Sequence, residues 1–194
     1  FIRELLYNFE IILKFLGINQ TLTTLILNLI GFESCIGKKI AKLLCKNNTL
    51  KRLELNGNEI TFDDENAIFN SSCENTSLTH LDISSNLINN NSCLELKQMF
   101  QKNTTLISLN LSNNLLGESG DLIEGLDGNT NLKYLYLRNN KFSVEIVHSF
   151  ISYLLNNATL KHLDLSFNLE LEDIPPIQQY IKQEKYVAVL PRIS

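Results

Sequence analysis

The sequence predicts a right-handed α/β solenoid bent into a horseshoe arc, with parallel strands on its concave face and helices on its convex face. Three observations predict it: a short leucine pattern that returns at a fixed period, an asparagine at one fixed place in that pattern, and amphipathic stretches of helical period between the copies.

The copies read LTTLILNLI from Leu22, LKRLELNGNEI from Leu50, LTHLDISSNLI from Leu78, LISLNLSNNLL from Leu106, LKYLYLRNNKF from Leu132 and LKHLDLSFN from Leu160. Their first leucines are separated by 28, 28, 28, 26 and 28 residues. A period of this size is the mark of coils stacked in one dimension, each burying its apolar face on its neighbours. Within a copy the apolar residues at offsets +3 and +5 alternate with others, so both point to one side of a short strand. That side is the core. Beyond the strand the chain turns inside the coil, where unpaired backbone N–H and C=O groups would cost about 1 to 3 kcal/mol each. An asparagine amide supplies donors and an acceptor on a short stem and can bridge such groups in its own coil and the next. Asn58, Asn86, Asn114, Asn140 and Asn168 hold this offset and are expected to form a structural ladder. The first copy carries Ile30 in the asparagine's place and the last carries Glu170 where the closing apolar residue belongs, as terminal repeats allow.

The pattern L-x-x-L-x-L-x-x-N-x-L resembles the leucine-rich repeat, and its period resembles the ribonuclease-inhibitor type of that family. The resemblance runs from about Asn19 to Asn168. The asparagine- and isoleucine-rich composition is also similar to that of the leucine-rich-repeat effectors that intracellular bacteria such as Legionella inject into host cells.

The other half of each coil reads as a helix. In coil three, Ser92, then Glu95, then Leu96, Met99 and Phe100 predict a capping box opening an amphipathic stretch. In coil one, Ile36, Ile40 and Leu43 face inward and Lys38, Lys39 and Lys42 form a solvated outer face. Coil four, LLGESGDLIEGLDGNT, holds four of the eight glycines and is two residues short, which predicts a short or irregular helix. Strands pack about 4.8 Å apart and helices about 8 to 10 Å, so the stack curves with its strands inside.

Residues 1–18 run into FLGINQTL, which ends at Leu22 and matches the LLCKNNTL that ends at Leu50, and they read as the helix of a truncated preceding repeat or as an N-terminal cap. Six repeats then fill 19–168. Residues 169–194 read as a C-terminal cap, with IPPIQQYIKQEK as a helix entered through Pro175 and Pro176 and YVAVL as a final strand. The start at Phe1 predicts a chain that extends upstream. Glu4, Glu10 and Lys14 break the apolar run that a signal peptide would need.

With 194 residues, 44% hydrophobic and 20% charged, the chain can bury a sizeable core. A net charge of -4 opposes nonspecific binding to nucleic acid. The most apolar stretch, Leu16 to Phe32, is interrupted by Asn19, Gln20 and Asn28 and falls short of the roughly 18 apolar residues of a membrane span. Cys35, Cys45, Cys73 and Cys93 form no C-x-x-C pair, which speaks against zinc or a disulfide cap and predicts buried free thiols in a reducing, intracellular setting.

N-x-S/T sequons at Asn19, Asn47, Asn75, Asn103 and Asn157 would suggest glycosylation. All five, however, stand three residues before an anchor leucine, so they recur because the helix-to-strand turn recurs. Others, among them Asn70 and Asn110, fall outside that register, and Asn110 lies in a predicted strand.

Offsets +2, +4 and +6 alternate with the core residues and set the concave surface. They include Arg52, Glu54, His80, Asp82, Asn110, Tyr134, Tyr136, Arg138, His162 and Asp164, a variety that packing does not require. Glu54, Asp82 and Asp164 form an acidic column, while Tyr134, Tyr136 and Arg138 are residue types enriched at interface hot spots. This set is the candidate protein-binding site. His80 with Asp82 and His162 with Asp164 invite a metal or acid–base reading. Three coils separate them, roughly 14 Å at strand spacing, whereas zinc draws its ligands to about 2.3 Å. No catalytic constellation, phosphate loop or cofactor site is expected.

The predicted function is noncatalytic recognition, and possible inhibition, of a protein partner such as an enzyme or another effector, by a chain otherwise monomeric and bound to neither nucleic acid nor membrane. In a secreted effector that partner sits in the host cytosol. The alternative is a eukaryotic cytoskeletal or small-GTPase regulator, since tropomodulin-like and Ran-activating proteins use similar repeats. Ubiquitin ligases with leucine-rich-repeat front ends match less well, having shorter repeats and a catalytic-cysteine domain.

Overall fold

The computed structural model describes residues 2–31, 36–118 and 120–168, with side chains from Phe9 onward and excepting that of Leu155. The predicted cap at 169–194, Glu170 and Cys35 lie outside the described residues.

Strand and helix alternate along the chain. Helix α1 (Ile2–Ile18) leads into β1 (Thr24–Ile26), α2 (Ile36–Leu44), β2 (Arg52–Glu54), α3 (Phe62–Glu74), β3 (His80–Asp82), α4 (Cys93–Lys102), β4 (Ser108–Asn110), α5 (Asp121–Leu126), β5 (Tyr134–Tyr136), α6 (Val144–Asn156) and β6 (His162–Asp164). The strands form one parallel sheet in sequence order. Register is strict: Leu25, Leu53, Leu81, Leu109, Leu135 and Leu163 stand side by side across it. From Leu53 to Leu163 this row is buried, as are Leu55, Ile83, Leu111, Leu137 and Leu165 two residues further on. Each coil is therefore filled from the strand side by two aliphatic side chains and from the helix side by residues such as Ile40, Leu43, Ile68, Phe69, Leu96, Met99 and Phe150.

The turn after each strand repeats its backbone geometry. The residue before the ladder position has a left-handed φ in every coil, from Leu29 (54°) through Gly57 (66°), Ser85 (53°), Asn113 (56°) and Asn139 (51°) to Phe167 (60°). The asparagine that follows is bonded to two coils. Asn86 Nδ2 donates to Leu55 O at 3.1 Å and Ile83 O at 3.0 Å, while its Oδ1 accepts from Asn58 N at 3.0 Å and Ile60 N at 3.1 Å. Asn58, Asn114, Asn140 and Asn168 donate in the same way to their own and the preceding coil. Ile30, in the asparagine's place in coil one, still donates its N–H to Asn58 Oδ1 at 3.0 Å.

A second asparagine series closes the helix-to-strand turn. Asn75 and Asn103 are buried; Asn75 Oδ1 accepts from Ser77 N and Leu78 N at 3.0 and 2.7 Å, and its Nδ2 donates to Leu44 O at 2.8 Å. Asn47 and Asn103 repeat this, and Asn129 keeps it at the end of coil four, although Asn129-Thr130-Asn131 is no sequon. The hydroxyls of Thr49 and Thr105 donate to carbonyls of the preceding coil at 3.1 to 3.3 Å. Both polar members of these sequons therefore hold the turn together, and their recurrence follows from packing.

Helix spacing depends on two glycines. A Cβ on Gly37 would collide with the Asp64 backbone of α3, and one on Gly125 would sit 2.7 Å from Lys97 Cα of α4. The six-residue α5 fits the short, glycine-rich coil four.

Two expectations need correction. Ser92 does not close a capping box on α4: its hydroxyl donates to Glu65 Oε1 on α3, and a 3-10 turn at Asn90–Ser92 leads into the helix instead. Glu65 is fully buried, and the competing acceptor pulls the hydroxyl off the helix N-terminus. The thiols are free but not uniformly buried, since Cys45, at the end of α2, is exposed, Cys73 is half-buried and Cys93 is in the core. No helix among the described residues is long and apolar enough to cross a membrane.

Candidate functional site

Side chains that alternate with the leucine row project from the other face of the sheet. Strict register stacks them into columns. The first runs Thr24, Arg52, His80, Ser108, Tyr134, His162, and the second Ile26, Glu54, Asp82, Asn110, Tyr136, Asp164. Between β2 and β5 these columns line an open groove of about 390 Å³ bounded by Arg52, Glu54, His80, Asp82, Ser108, Asn110, Tyr134 and Tyr136.

Seven of the ten residues predicted for this face thus share one groove. Arg138, His162 and Asp164 do not line it. Arg138 lies over the ring of Phe167, 4.0 Å from its centroid, so its guanidinium is engaged by the next coil. His162 stacks obliquely on Tyr136, with centroids 4.9 Å apart at 44°, and extends the aromatic end of the face toward β6. The predicted third column at offset +6 is withdrawn in three of its six places: Ser84, Ser112 and Ser166 are buried, whereas Asn28 and Asn56 are half-buried and Arg138 is exposed. Each strand ends at offset +4, so +6 lies in the turn beyond it, where alternation no longer fixes the side on which a side chain falls.

The groove's polar groups are ordered by bonds along and across strands. Arg52 Nε donates to Glu54 Oε1 at 2.7 Å and Asn28 Nδ2 to Glu54 Oε2 at 2.9 Å, which together hold the Glu54 carboxyl below its ordinary range. Asp82 Oδ1 accepts from Ser84 N and Oγ at 2.9 and 2.5 Å, and its Oδ2 from Asn110 Nδ2 at 2.9 Å. Asp164 accepts from Ser166 in the same manner at 2.9 and 2.6 Å. Ser84 and Ser166 are thus the supports of Asp82 and Asp164, a role that only their spacing of two from each aspartate could have signalled, while Ser112 N donates to Asn110 Oδ1 at 3.0 Å.

His80 is pushed to a lower pKa by burial and then by nearby Arg52, which favours the neutral ring at neutral pH. Its Nδ1 lies 2.8 Å from Thr79 Oγ1. His80 and His162 stand on β3 and β6, three strands apart, so the two His–Asp pairs do not converge. Among the described residues no group of three His, Cys, Asp or Glu is placed to hold a metal ion. The arrangement offers one arginine, two fixed carboxylates, an amide and two tyrosines on a rigid sheet, the composition of a recognition surface. Tyr134, 40% exposed, is the most accessible large apolar group in it.

Comparison with known proteins identifies the repeat. Models described as Leucine Rich Repeat match residues 131–153 in one case and 46–61, 74–96 and 156–173 in another. Among solved structures, the chain is similar to the leiomodin-1 actin-binding site 2, with a TM-score of 0.58 and 16% identity over 88% of this chain and 86% of that one. It is similar also to the Caenorhabditis elegans tropomodulin C-terminal domain, with a TM-score of 0.50 and 12% identity over 88% and 89% of the two chains. No curated protein sequence matches it. At these identities the likeness is one of fold.

Proposed function

We propose that this chain, a leucine-rich-repeat α/β solenoid, is a noncatalytic scaffold that captures a folded protein partner on the sheet face between β2 and β5. The observation that carries this reading is the groove itself. Its residues are not needed to fill the coils, yet register and side-chain bonds hold them in fixed positions on rigid strands. Charge complementarity assigns the partner's chemistry: a basic or amide-bearing side chain meets Asp82, and an apolar or aromatic one packs on Tyr134 and Tyr136. A partner seated there has that part of its own surface masked, which is how such a scaffold inhibits.

The experiment is a pull-down with the parent chain and with Tyr134→Ala/Tyr136→Ala, each checked for fold by circular dichroism. A protein retained by the parent and lost by the folded variant supports the assignment. An unchanged set of retained proteins refutes it. The cytoskeletal alternative is favoured by the fold likeness to a leiomodin fragment whose name states actin binding. Cosedimentation with filamentous actin tests it: saturable binding, abolished in the same variant, would make actin the partner.

The effector reading rests on composition and is tested by delivery of the full-length chain from bacteria into host cells. An intracellular setting is supported by the free thiols of Cys45, Cys73 and Cys93 and by sequon asparagines whose amides are already bonded to backbone carbonyls.

A further inference from the structure

A second surface lies on the helical side, away from the sheet groove. Helices α1 and α2 run past each other and leave between them a cleft of about 480 Å³ lined by Glu10, Leu13, Lys14, Gly17, Lys39, Lys42, Leu43 and Lys46. On sequence, Lys39 and Lys42 belong to a solvated helix face. The fold brings Lys14, from the preceding helix, and Lys46, from beyond the end of α2, to the same cleft.

Among the described residues four lysines stand against one carboxylate at the cleft, a local balance of +3 on a chain whose net charge is -4. Glu10 is shared by Lys14 at 3.3 Å and Lys39 at 3.4 Å. Lys42 and Lys46 are exposed and have no carboxylate partner among the described residues. Leu13 and Leu43 are both buried and form the floor. Gly17 keeps the wall low opposite Lys46, whose Cβ would lie 3.8 Å from a Cβ placed there. Lysine stems are apolar for most of their length, so the cleft has hydrocarbon walls rimmed by ammonium groups.

From this geometry we infer that the α1–α2 cleft is a docking site for an acidic segment of a partner protein, one that seats an apolar side chain between the lysine stems and sets carboxylates on either side against Lys42 and Lys46. A segment of that kind satisfies both halves of the cleft at once. A membrane surface meets protruding groups in preference to a recess between two helices. Nucleic acid calls for a longer basic track with aromatic stacking, and no aromatic side chain among the described residues lines the cleft.

Fluorescence anisotropy on the whole chain tests the inference, with a labelled short peptide in which paired leucines are flanked by glutamates. Saturable binding is expected, weakened at least about tenfold by Lys42→Glu/Lys46→Glu and to an intermediate degree by Lys42→Gln/Lys46→Gln. Replacing the peptide's glutamates by glutamine, or its leucines by serine, is expected to weaken binding as well. Added salt should do the same. Tyr134→Ala/Tyr136→Ala should bind the peptide like the parent, which separates this surface from the sheet groove. Absence of binding by the parent, or equal binding by the folded charge-reversed variant, would overturn the inference. So would tighter, lysine-dependent binding to phosphatidylserine vesicles or to single-stranded RNA, which would give the cleft to a membrane or a nucleic acid.

Discussion

Replacing Glu65 by glutamine should change how the protein's stability depends on pH. Glu65 sits on α3 with none of its surface exposed; its Oε1 accepts from the Ser92 hydroxyl, and its Oε2, like Glu95 Oε2, is buried without a hydrogen-bond partner among the described residues. Burial pushes its pKa up to about 7, with Ser92 pulling the other way and the neighbouring Glu95 and Asp64 charges adding to the rise. Below 4.5 both folded and unfolded chains carry the proton and Glu65 costs nothing electrostatically. As pH rises from 4.5 the unfolded chain ionises while the folded one keeps its proton, so stability falls until the folded pKa is passed. Moving a carboxyl from 4.5 to about 7 corresponds to about 3 kcal/mol, all of it present above that pH. Glutamine keeps the shape and accepts from Ser92 but does not titrate. Urea unfolding at about pH 4.5 and about pH 8 should therefore show the parent losing roughly 3 kcal/mol more than Glu65→Gln across that range. Carboxyls held low, such as Glu54, contribute the opposite slope at lower pH and cancel in the comparison. Identical pH dependence in parent and variant would refute the reasoning.

Other perturbations follow from the same packing. Asn103→Ala leaves Ser72 O and the N–H groups of Thr105 and Leu106 without their side-chain partner in a buried turn, and should cost about 3 kcal/mol in urea unfolding. A loss below about 1 kcal/mol would show that the second asparagine series is dispensable. Gly125→Ala places a methyl against Lys97 Cα and the Phe100 ring, and should lower stability by about 1 to 3 kcal/mol with a corresponding fall in Tm. Gly57→Ala forces a side chain into a φ of 66° and against Leu29, and should cost about 1 to 2 kcal/mol by the same measurement.

The solenoid was legible because its signal is periodic. Leu53, Leu81, Leu109, Leu135 and Leu163 could be aligned from spacing alone, and that alignment is the register of the sheet. From register came the two columns of the open face, so the repeat spacing was enough to place Arg52, Glu54, His80, Asp82, Asn110, Tyr134 and Tyr136 side by side. Asn58 and its equivalents were legible for the same reason, as one residue type at one offset, and the sequon asparagines could be assigned to a recurring turn, though not to the carbonyls they bond.

What lay outside that reach depends on where one coil meets another at a distance that spacing does not encode. Whether offset +6 faces out or in turns on where the strand ends, which hid the burial of Ser84, Ser112 and Ser166. Arg138 could be given a column but not Phe167, its partner from the next coil's turn. Ser92 follows the local capping pattern, and only the approach of α3 diverts its hydroxyl to Glu65. Lys14 and Lys46 join Lys39 and Lys42 only because α1 packs on α2. Periodicity along the chain determines which side chains share a face, since each coil repeats the same backbone path. The gaps, clefts and buried charges between neighbouring helices are decided by side-chain volumes meeting across coils, and those appear only once the stack is built.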